Sequence, residues 1–296
     1  MLREEVGWVM RISEMLKANR PIFSLEFFPP ETEEAMFQLF ETLKEVKKLN
    51  PGYVSVTYGA GGGTRDKTID IVTRAKREIG LESMAHLTCV GHSRQEVKNI
   101  LDRLVASGIE NVVALRGDPP QGQTKFTPNP DGFNHASELA SFIHASYPLC
   151  IAVAGYPEGH IEAADKEADW NYLCQKVHAG ADFVITQLFF DNKHFFNFER
   201  RMREKGVTVP IIPGIMPITN FNQILRFTRI CGATIPQKLV TDLERIQDNP
   251  EAVHEYGVEQ ATGQCKELLA HGVPGIHFYT LNKSTATRDI IRSLRN

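Results

Sequence analysis

Cysteine is scarce in this sequence, with five residues in a chain of 296. They are Cys89, Cys150, Cys174, Cys231 and Cys265, and no two of them form a C-x-x-C pair. An odd, dispersed set argues against a disulfide framework and offers no zinc-binding spacing. Aspartate, glutamate and histidine show no convincing metal-ligand spacing either, so we expect no metal. The scarcity suits a reducing cytoplasm, where we expect the protein to be located.

The sequence also lacks an excess of charge of either sign and any long apolar run. Lysine and arginine number 33, aspartate and glutamate 36, and the formal net charge is −3. This balance excludes a strongly basic nucleic-acid binder. No stretch approaches the roughly 20 apolar residues of a membrane helix, and the acidic residues near Met1 argue against a signal peptide. We therefore expect neither a nucleic-acid partner nor a membrane partner.

Several motifs of nucleotide-binding and hydrolytic enzymes are absent. The sequence contains no G-x-x-x-x-G-K-[ST], no G-x-S-x-G and no H-E-x-x-H, and the run 59–64 fails the last position of G-x-G-x-x-G. These absences argue against a P-loop kinase, a serine hydrolase of the nucleophile-elbow type, a zincin and a Rossmann dehydrogenase. The run 59–63 could still cradle a phosphate, let a ligand approach the backbone, or form a flexible turn.

Short apolar runs of strand length alternate with amphipathic segments of helix length. Several helical segments end in glycine before the next strand, as at Gly108 and Gly180, which is typical of αβ connections. The predicted strands are 22–28, 53–58, 83–88, 111–115, 149–154, 183–189, 209–215 and 275–279. The predicted helices are 33–49, 67–79, 94–107 with Ser93 as N-cap, 136–145, 166–179, 195–205, 221–230 and 284–294.

Eight strand–helix units without a Pro/Ser-rich linker predict an α/β fold, a single (β/α)8 TIM barrel over residues 1–296. The strands are mostly continuous apolar runs, as expected when both faces of a sheet are covered. We also expect an N-terminal helix over 6–18 and additional helices, 236–248 and 251–271, before strand eight. The alternative is a doubly wound sheet with a small helical domain.

Polar residues stand where most of the predicted strands end, which is where a barrel of this kind carries its chemistry. They are Glu26, Thr57, Tyr58, His86, Thr88, Arg116, Asp118, Tyr156, His160, Thr186, Gln187, His277, Tyr279, Asn282 and Lys283. Glu26 lies between Leu25 and the pair Phe27 and Phe28, and these apolar neighbours predict a raised pKa that suits a general acid. A structural ion pair is the other interpretation of Glu26.

The remaining positions have structural interpretations as well. Asp118 could be only a turn residue, and His86 could be a hydrogen-bonded core histidine. Tyr156 and Tyr279 are more often packing residues than site residues. The residue types alone indicate a barrel enzyme with one carboxylic acid, a second carboxylate and many hydrogen-bonding groups, and they name no substrate.

Seven segments stand in order along nearly the whole chain: SLEFFPP (24–30), VSVTYGA (54–60), HLTC (86–89), ALRGD (114–118), ITQLFFD (185–191), IPGIMP (212–217) and HFYTLN (277–282). Together they resemble the 5,10-methylenetetrahydrofolate reductase family. The resemblance implies a barrel that holds FAD at its C-terminal face. NAD(P)H reduces the flavin and leaves, and methylenetetrahydrofolate then takes the hydride in the same space. This ping-pong scheme yields 5-methyltetrahydrofolate for methionine synthesis.

The resemblance also implies roles for individual residues. Glu26 matches the acid that protonates the folate bridge and opens its ring to an iminium, and Asp118 matches an aspartate that contacts the pterin near the flavin. The residues that match FAD-binding positions are Thr57, Tyr58, Ala60, His86, Arg116, Gly117, Asp118, His135, Ala136, Tyr156, His160, Asp169, Tyr172, Gln175 and Lys176. Those that match substrate-binding positions are Asp118, Gln187, Gln223, Phe227, Tyr279 and Lys283.

Three FAD positions depart from the family pattern. His135 stands where tyrosine can occur, and Tyr172 and Gln175 stand where asparagine and arginine can occur. Without an arginine at position 175, Lys176 becomes the main cation there. Because the net charge is −3, local groups must bind the anionic FAD and folate. The cations expected to do so are Arg116, Lys176 and Lys283.

Two other functions stay open on the sequence. One is a non-redox barrel lyase or aldolase that acts on a phosphorylated substrate, with the 59–63 run as the phosphate site and Glu26 as base. The other is a catalytically silent folate-binding or assembly protein, against which the intact Glu26 and Asp118 argue. Bacterial relatives imply a homo-oligomer. Since the chain ends at Asn296, we expect it to lack the S-adenosylmethionine-sensing domain of eukaryotic relatives.

Overall fold

A computed structural model of the chain describes residues 11–18, 20–59, 64–118 and 126–295. Within these residues, eight parallel strands close into a barrel in chain order, and the last strand pairs with the first. The strands are β1 (Ile22–Phe27), β2 (Tyr53–Val56), β3 (Ser83–Thr88), β4 (Asn111–Leu115), β5 (Cys150–Gly155), β6 (Phe183–Leu188), β7 (Ile211–Ile215) and β8 (Gly275–Tyr279). The predicted TIM barrel is confirmed.

Helices lie on the outside of the barrel, one after each strand. They are α2 (Glu33–Lys47), α3 (Arg65–Arg74), α4 (Arg94–Ala106), α5 (Ala136–Ser146), α6 (Lys166–His178), α7 (Asn192–Glu204), α8 (Phe221–Cys231) and α11 (Thr285–Arg295). A π-helical turn, Ala75–Ile79, continues α3. The two additional helices before β8 are confirmed as α9 (Gln237–Ile246) and α10 (Pro250–His271). Of the predicted N-terminal helix, the described residues form α1 (Ile12–Met15), and residues 1–10 lie outside them.

Local signals in the sequence set where these helices begin and end. Ser93 and Glu96 form a reciprocal capping box at the start of α4, which confirms the predicted N-cap. Gly232 and Gly272 end α8 and α10 in the left-handed conformation, which glycine adopts without strain. Among the described helices, none is long and apolar enough to cross a membrane.

Side chains of the strands alternate between the helices and the barrel interior. On β1, Phe23, Leu25 and Phe27 lie in the apolar core beneath the helices. Because successive strand residues point to opposite faces, Ser24 and Glu26 face the interior. The same alternation brings polar residues of other strands into the barrel, and it leaves the outward residues to stabilise the fold.

Helix α1 closes the N-terminal end of the barrel. Ile12 is fully buried among inward-facing side chains that include Tyr53 and Phe183. The backbone N–H of Ile12 donates to Asn111 Oδ1 on β4 at 2.9 Å. The apolar contacts and this hydrogen bond fill the lower interior, so any site inside the barrel is reached from the C-terminal ends of the strands.

Candidate active site

Glu26, near the C-terminal end of β1, lies between two histidines of other strands. Its Oε2 is 3.4 Å from Nε2 of His277 on β8 and 3.3 Å from Nε2 of His86 on β3. The Glu26 side chain is 19% exposed, whereas that of His277 is 0% exposed. The carboxyl group therefore lies at the boundary between the packed interior and the open end of the barrel.

His277 is held from behind by Ser24. Its Nδ1 lies 2.8 Å from Ser24 Oγ, and Ser24 is paired with His277 in the register of β1 and β8. Sequence reasoning placed His277 at a strand end and gave it no role. The signal that could have found it is the first-to-last strand pairing of a closed barrel, which puts inward residues of β1 and β8 side by side.

The predicted rise in the pKa of Glu26 is wrong. Burial does raise this pKa, but the hydrogen bond from His277 and the charges of His86 and His277 outweigh burial and lower it below its ordinary value. The apolar neighbours Leu25 and Phe27 pack against the helices, on the opposite face of β1 from the carboxyl group. Neighbours in space, from β3 and β8, set the pKa instead of neighbours in sequence.

The loop after β8 holds the backbone around Glu26 in place. Thr280 donates its hydroxyl to the Glu26 carbonyl at 2.6 Å. The Asn282 side chain accepts from Phe28 N at 2.9 Å and donates to Phe28 O at 2.8 Å. Leu281 and Asn282 adopt φ values of 51° and 60°, an unusual conformation for residues other than glycine. The loop is therefore shaped to fix the end of β1.

Tyr279 ties β8 to β6 across the open end of the barrel. Its hydroxyl donates to the Thr186 carbonyl at 2.6 Å, and Gly214 N donates to Thr186 Oγ1 at 2.9 Å. A Cβ on Gly214 would lie 2.2 Å from Thr186 O and 2.7 Å from the Tyr279 ring, so only glycine fits at position 214. The predicted substrate residue Gln187 is half-buried, and its Oε1 accepts from Leu188 N.

The two cations predicted to bind the flavin already have protein partners. Arg116, after β4, forms a two-pronged ion pair with Glu162, at 2.5 and 3.1 Å. Lys176 on α6 donates to the Ala154 carbonyl at 2.5 Å. Burial lowers the pKa of Lys176 to about 8, with Asp169 opposing the shift, and burial raises the pKa of Asp169. Their positive charge is thus less available than the sequence indicates.

The other predicted FAD positions are spread around the same end of the barrel. Thr57 and Tyr58 follow β2, His135 and Ala136 begin α5, and Tyr156 and His160 follow β5, with their rings edge to face at 4.8 Å. Tyr172 and Gln175 are exposed on α6, and no side-chain hydrogen bond joins them to Lys176 in the part of the chain that the structure describes. Ala60 and residues 61–63 of the glycine run lie outside the described residues.

Groups without partners mark where a cofactor could be held. Thr88 Oγ1 and His92 Nδ1 are buried and make no hydrogen bond within the described residues. His92 Nε2 lies 3.0 Å from the Tyr58 hydroxyl. Gly117 has a φ of 89°, and a Cβ there would lie 2.6 Å from the Val90 side chain, so its backbone stays bare. Unused donors and acceptors and a bare backbone fit a dinucleotide such as FAD.

The remaining predicted substrate residues stand at other strand exits of the same face. Asp118 is exposed after β4, and Lys283 is exposed after β8. On α8, Gln223 is exposed and Phe227 is half-buried against the cluster that includes Ile224. Within the described ranges, no hydrogen bond or ion pair links any of these four side chains to Glu26. The structure thus brings Glu26, His86 and His277 together and leaves the other predicted residues on a rim.

Comparison with known proteins decides the family. A sequence model described as Methylenetetrahydrofolate reductase matches residues 11–295. The chain belongs to the methylenetetrahydrofolate reductase family. A bacterial relative, "5,10-methylenetetrahydrofolate reductase" of Pectobacterium carotovorum, is 38% identical over 271 residues, which cover 92% of this chain and 89% of the relative.

Longer relatives also match. "Probable methylenetetrahydrofolate reductase (NADH)" of Oryza sativa subsp. japonica is 42% identical over 297 residues, which cover 97% of this chain and 50% of the relative. "Methylenetetrahydrofolate reductase (NADH) 1" of Arabidopsis thaliana is 40% identical with the same coverage. The chain therefore spans about half the length of these plant members of the family.

Solved structures show the same fold at low sequence identity. A Clostridium thermocellum protein, described as uncharacterised and as binding two copies of 5-methyl-5,6,7,8-tetrahydrofolic acid, superposes with a TM-score of 0.61 at 17% identity, covering 95% of this chain and 96% of that one. An oxaloacetate acetylhydrolase superposes with a TM-score of 0.55 at 9% identity, covering 95% and 83%. At these identities the likeness establishes the barrel and nothing more.

Proposed function

We propose that this chain reduces 5,10-methylenetetrahydrofolate to 5-methyltetrahydrofolate with NAD(P)H, in a ping-pong reaction that uses FAD and serves methionine synthesis. The observation that carries the proposal is Glu26. In a chain of this family, an interior carboxyl group stands at the open end of the barrel with Oε2 facing His86 and His277. Its Oε1 makes no hydrogen bond to any described residue, so that oxygen can meet a substrate.

FAD, when bound, supplies hydride transfer between the nicotinamide and the folate. The protein supplies the proton. Glu26 donates it to the bridge nitrogen of the folate, the carbon–nitrogen bond breaks with its electron pair going to that nitrogen, and an iminium remains. An acidic side chain at Asp118 favours this cation electrostatically. Phe227 offers an aromatic face on which a flat substrate ring can stack.

The first test of the proposal is the flavin itself. Purified protein is expected to be yellow and to release FAD on denaturation, measured by absorbance and chromatography of the supernatant. A colourless preparation that gains no bound flavin when FAD is added would refute the redox function. The lyase or aldolase alternative needs no flavin, so the result separates the two. Steady-state kinetics with NADH and with NADPH then identify the nicotinamide donor.

A second test separates the two half-reactions. In Glu26→Gln, folate reduction is expected to fall by about 10²- to 10⁴-fold, the usual contribution of a general acid, because the amide cannot donate the proton. The rate at which NAD(P)H reduces the flavin should fall far less. Anaerobic stopped-flow measurement of each half-reaction checks this, with the exposed Glu31→Gln as control. If the two half-reactions slow equally, Glu26 is not the folate acid.

A further inference from the structure

Two imidazoles approach the same oxygen of Glu26, and they differ in what supports them. His277 Nε2 meets the geometry of a hydrogen bond to Oε2, and its other nitrogen is bonded to Ser24. His86 Nε2, at a similar distance, makes no hydrogen bond within the described residues. Only His277 is therefore linked both to the carboxyl group and to the barrel wall behind it.

The contacts of Ser24 allow a defined arrangement of protons. The Ser24 hydroxyl lies 3.4 Å from the Ile276 carbonyl, to which it can donate, and 2.8 Å from His277 Nδ1, so its Oγ can accept from that nitrogen. In the tautomer with a hydrogen on Nδ1, any further proton of the ring lies on Nε2, facing Glu26 Oε2. The His277 ring can thus hold one extra proton within the series of contacts that runs from Ile276 through Ser24 to Glu26.

Resting on the function proposed above, we propose that His277 holds the proton that Glu26 delivers to the folate, with Ser24 as the positioning residue. The acid is then the Glu26–His277 pair, and His277 reloads Glu26 across the contact between Nε2 and Oε2. His86 is not part of this relay, since it lacks the hydrogen bond and the support from behind.

The proton count of the step balances. Before it, the pair consists of a carboxylate and an imidazolium, and the folate ring system is neutral. The carboxylate takes the proton from Nε2, turns toward the substrate and gives the proton to the bridge nitrogen, whose bond to the methylene carbon breaks with the electron pair going to nitrogen. Afterwards the carboxylate is unchanged, the imidazole is neutral and the folate ring system is an iminium cation. The pair regains its proton from solvent at Glu26 once per turnover, as the net reduction requires.

Aromatic rings enclose His277 and leave Glu26 as its route to the solvent. The Tyr53 ring stacks on it at 6.1 Å and the Tyr279 ring meets it edge-on at 5.4 Å. Burial raises the pKa of both phenols, so they stay uncharged at neutral pH, and burial lowers the pKa of His86. Because His277 is 0% exposed, Glu26 is its exit to the solvent.

Two variants test the relay. Ser24→Ala keeps the ring and removes the acceptor of the Nδ1 hydrogen, which disfavours the imidazolium. The alkaline limb of the folate half-reaction should move to lower pH by about one unit, because hydrogen bonds to charged groups are strong. His277→Gln keeps a donor to Oε2 but holds no proton, and the half-reaction should slow by about 10- to 100-fold at neutral pH. His271→Gln, which removes an exposed His–Glu pair with Glu199 at 2.9 Å, is the control.

Nitrogen-15 NMR of the histidine rings gives a readout that does not depend on turnover. The His277 signal is identified by its loss in His277→Gln. In the folate-free protein at neutral pH, this ring should carry protons on both nitrogens, and Glu26→Gln should return it to the neutral form. The relay is overturned if the His277 ring carries no proton on Nε2. It is also overturned if the pH profiles of the variants, once scaled to the same maximum rate, superpose on the wild-type profile. Wild-type protein that reduces no folate overturns the proposed function instead, so the two failures are distinct.

Discussion

Under the proposed function, the ion pair between Arg116 and Glu162 predicts weaker binding of FAD than an unpaired Arg116 would give. Arg116 is the cation expected at the flavin phosphates, yet both of its terminal nitrogens are bonded to Glu162. The bound carboxylate raises the pKa of Arg116 further, so the guanidinium stays charged but occupied. A phosphate must displace Glu162 or bind beside its negative charge. Replacement of Glu162 by glutamine should therefore strengthen FAD binding.

The exposure of the pair sets the size of the effect. The side chains are 26% and 45% exposed, so solvent screens their attraction. Partly exposed pairs contribute up to about 1 kcal/mol, and releasing Arg116 from such a pair corresponds to about a two- to fivefold lower Kd for FAD. The difference should shrink as salt is raised, because mobile ions screen both the ion pair and the phosphate contact.

Fluorescence titration of flavin-free protein with FAD, at low and high salt, measures the effect. Glu204→Gln, which removes a partner of Arg200 and Arg201 at the C-terminal end of α7, is the matched control and should leave the Kd unchanged. Weaker FAD binding by Glu162→Gln would refute the reasoning. It would mean that Glu162 orients Arg116 for the phosphates more than it competes with them.

Three further perturbations follow from the structure. Gly214→Ala places a Cβ 2.2 Å from Thr186 O and should lower the free energy of unfolding in urea by about 1–3 kcal/mol, whereas Gly263→Ala, in open space on α10, should raise it by about 0.5–1 kcal/mol. The pKa of Lys176 falls from 10.5 to about 8 on folding, so between these pH values the unfolded chain binds more protons than the folded one. The free energy of unfolding should therefore rise by up to about 3 kcal/mol as pH increases through that window. The free energy of unfolding of Lys176→Met, measured by urea denaturation across the same pH range, should not show this rise. Phe227→Ala should raise the KM for folate in steady-state kinetics while FAD stays bound, and loss of FAD would indicate a flavin contact instead.

The barrel could be predicted from the sequence because its signals are local. Glycines at helix ends, the capping box at Ser93 and the apolar strands each depend on neighbours a few residues away. The limits of β4 and β8 agree with their predicted ranges. Other limits move by a few residues, as at β2, which ends at Val56 because pairing with β1 and β3 stops there.

The candidate site was only partly predictable, because its chemistry depends on pairs distant in sequence. Glu26 was found from its position at a strand end, but the direction of its pKa depends on His86 and His277. Likewise Arg116 and Lys176 were found as cations, whereas their partners Glu162 and the Ala154 carbonyl follow from loop geometry. Residue type tells which groups can react, and only three-dimensional pairing tells which of them are already engaged.

The pairing of β8 with β1 has a consequence for how the site forms during folding. The contacts of Glu26 with His277 and with Thr280 join residues 251 and 254 positions apart. Contacts of such long range form late, because the chain must first lose the entropy of closing a loop of that size. A chain in which β1 to β7 have assembled still lacks the contact between Glu26 and His277. The candidate site is therefore completed with the last strand, in the same event that closes the ring.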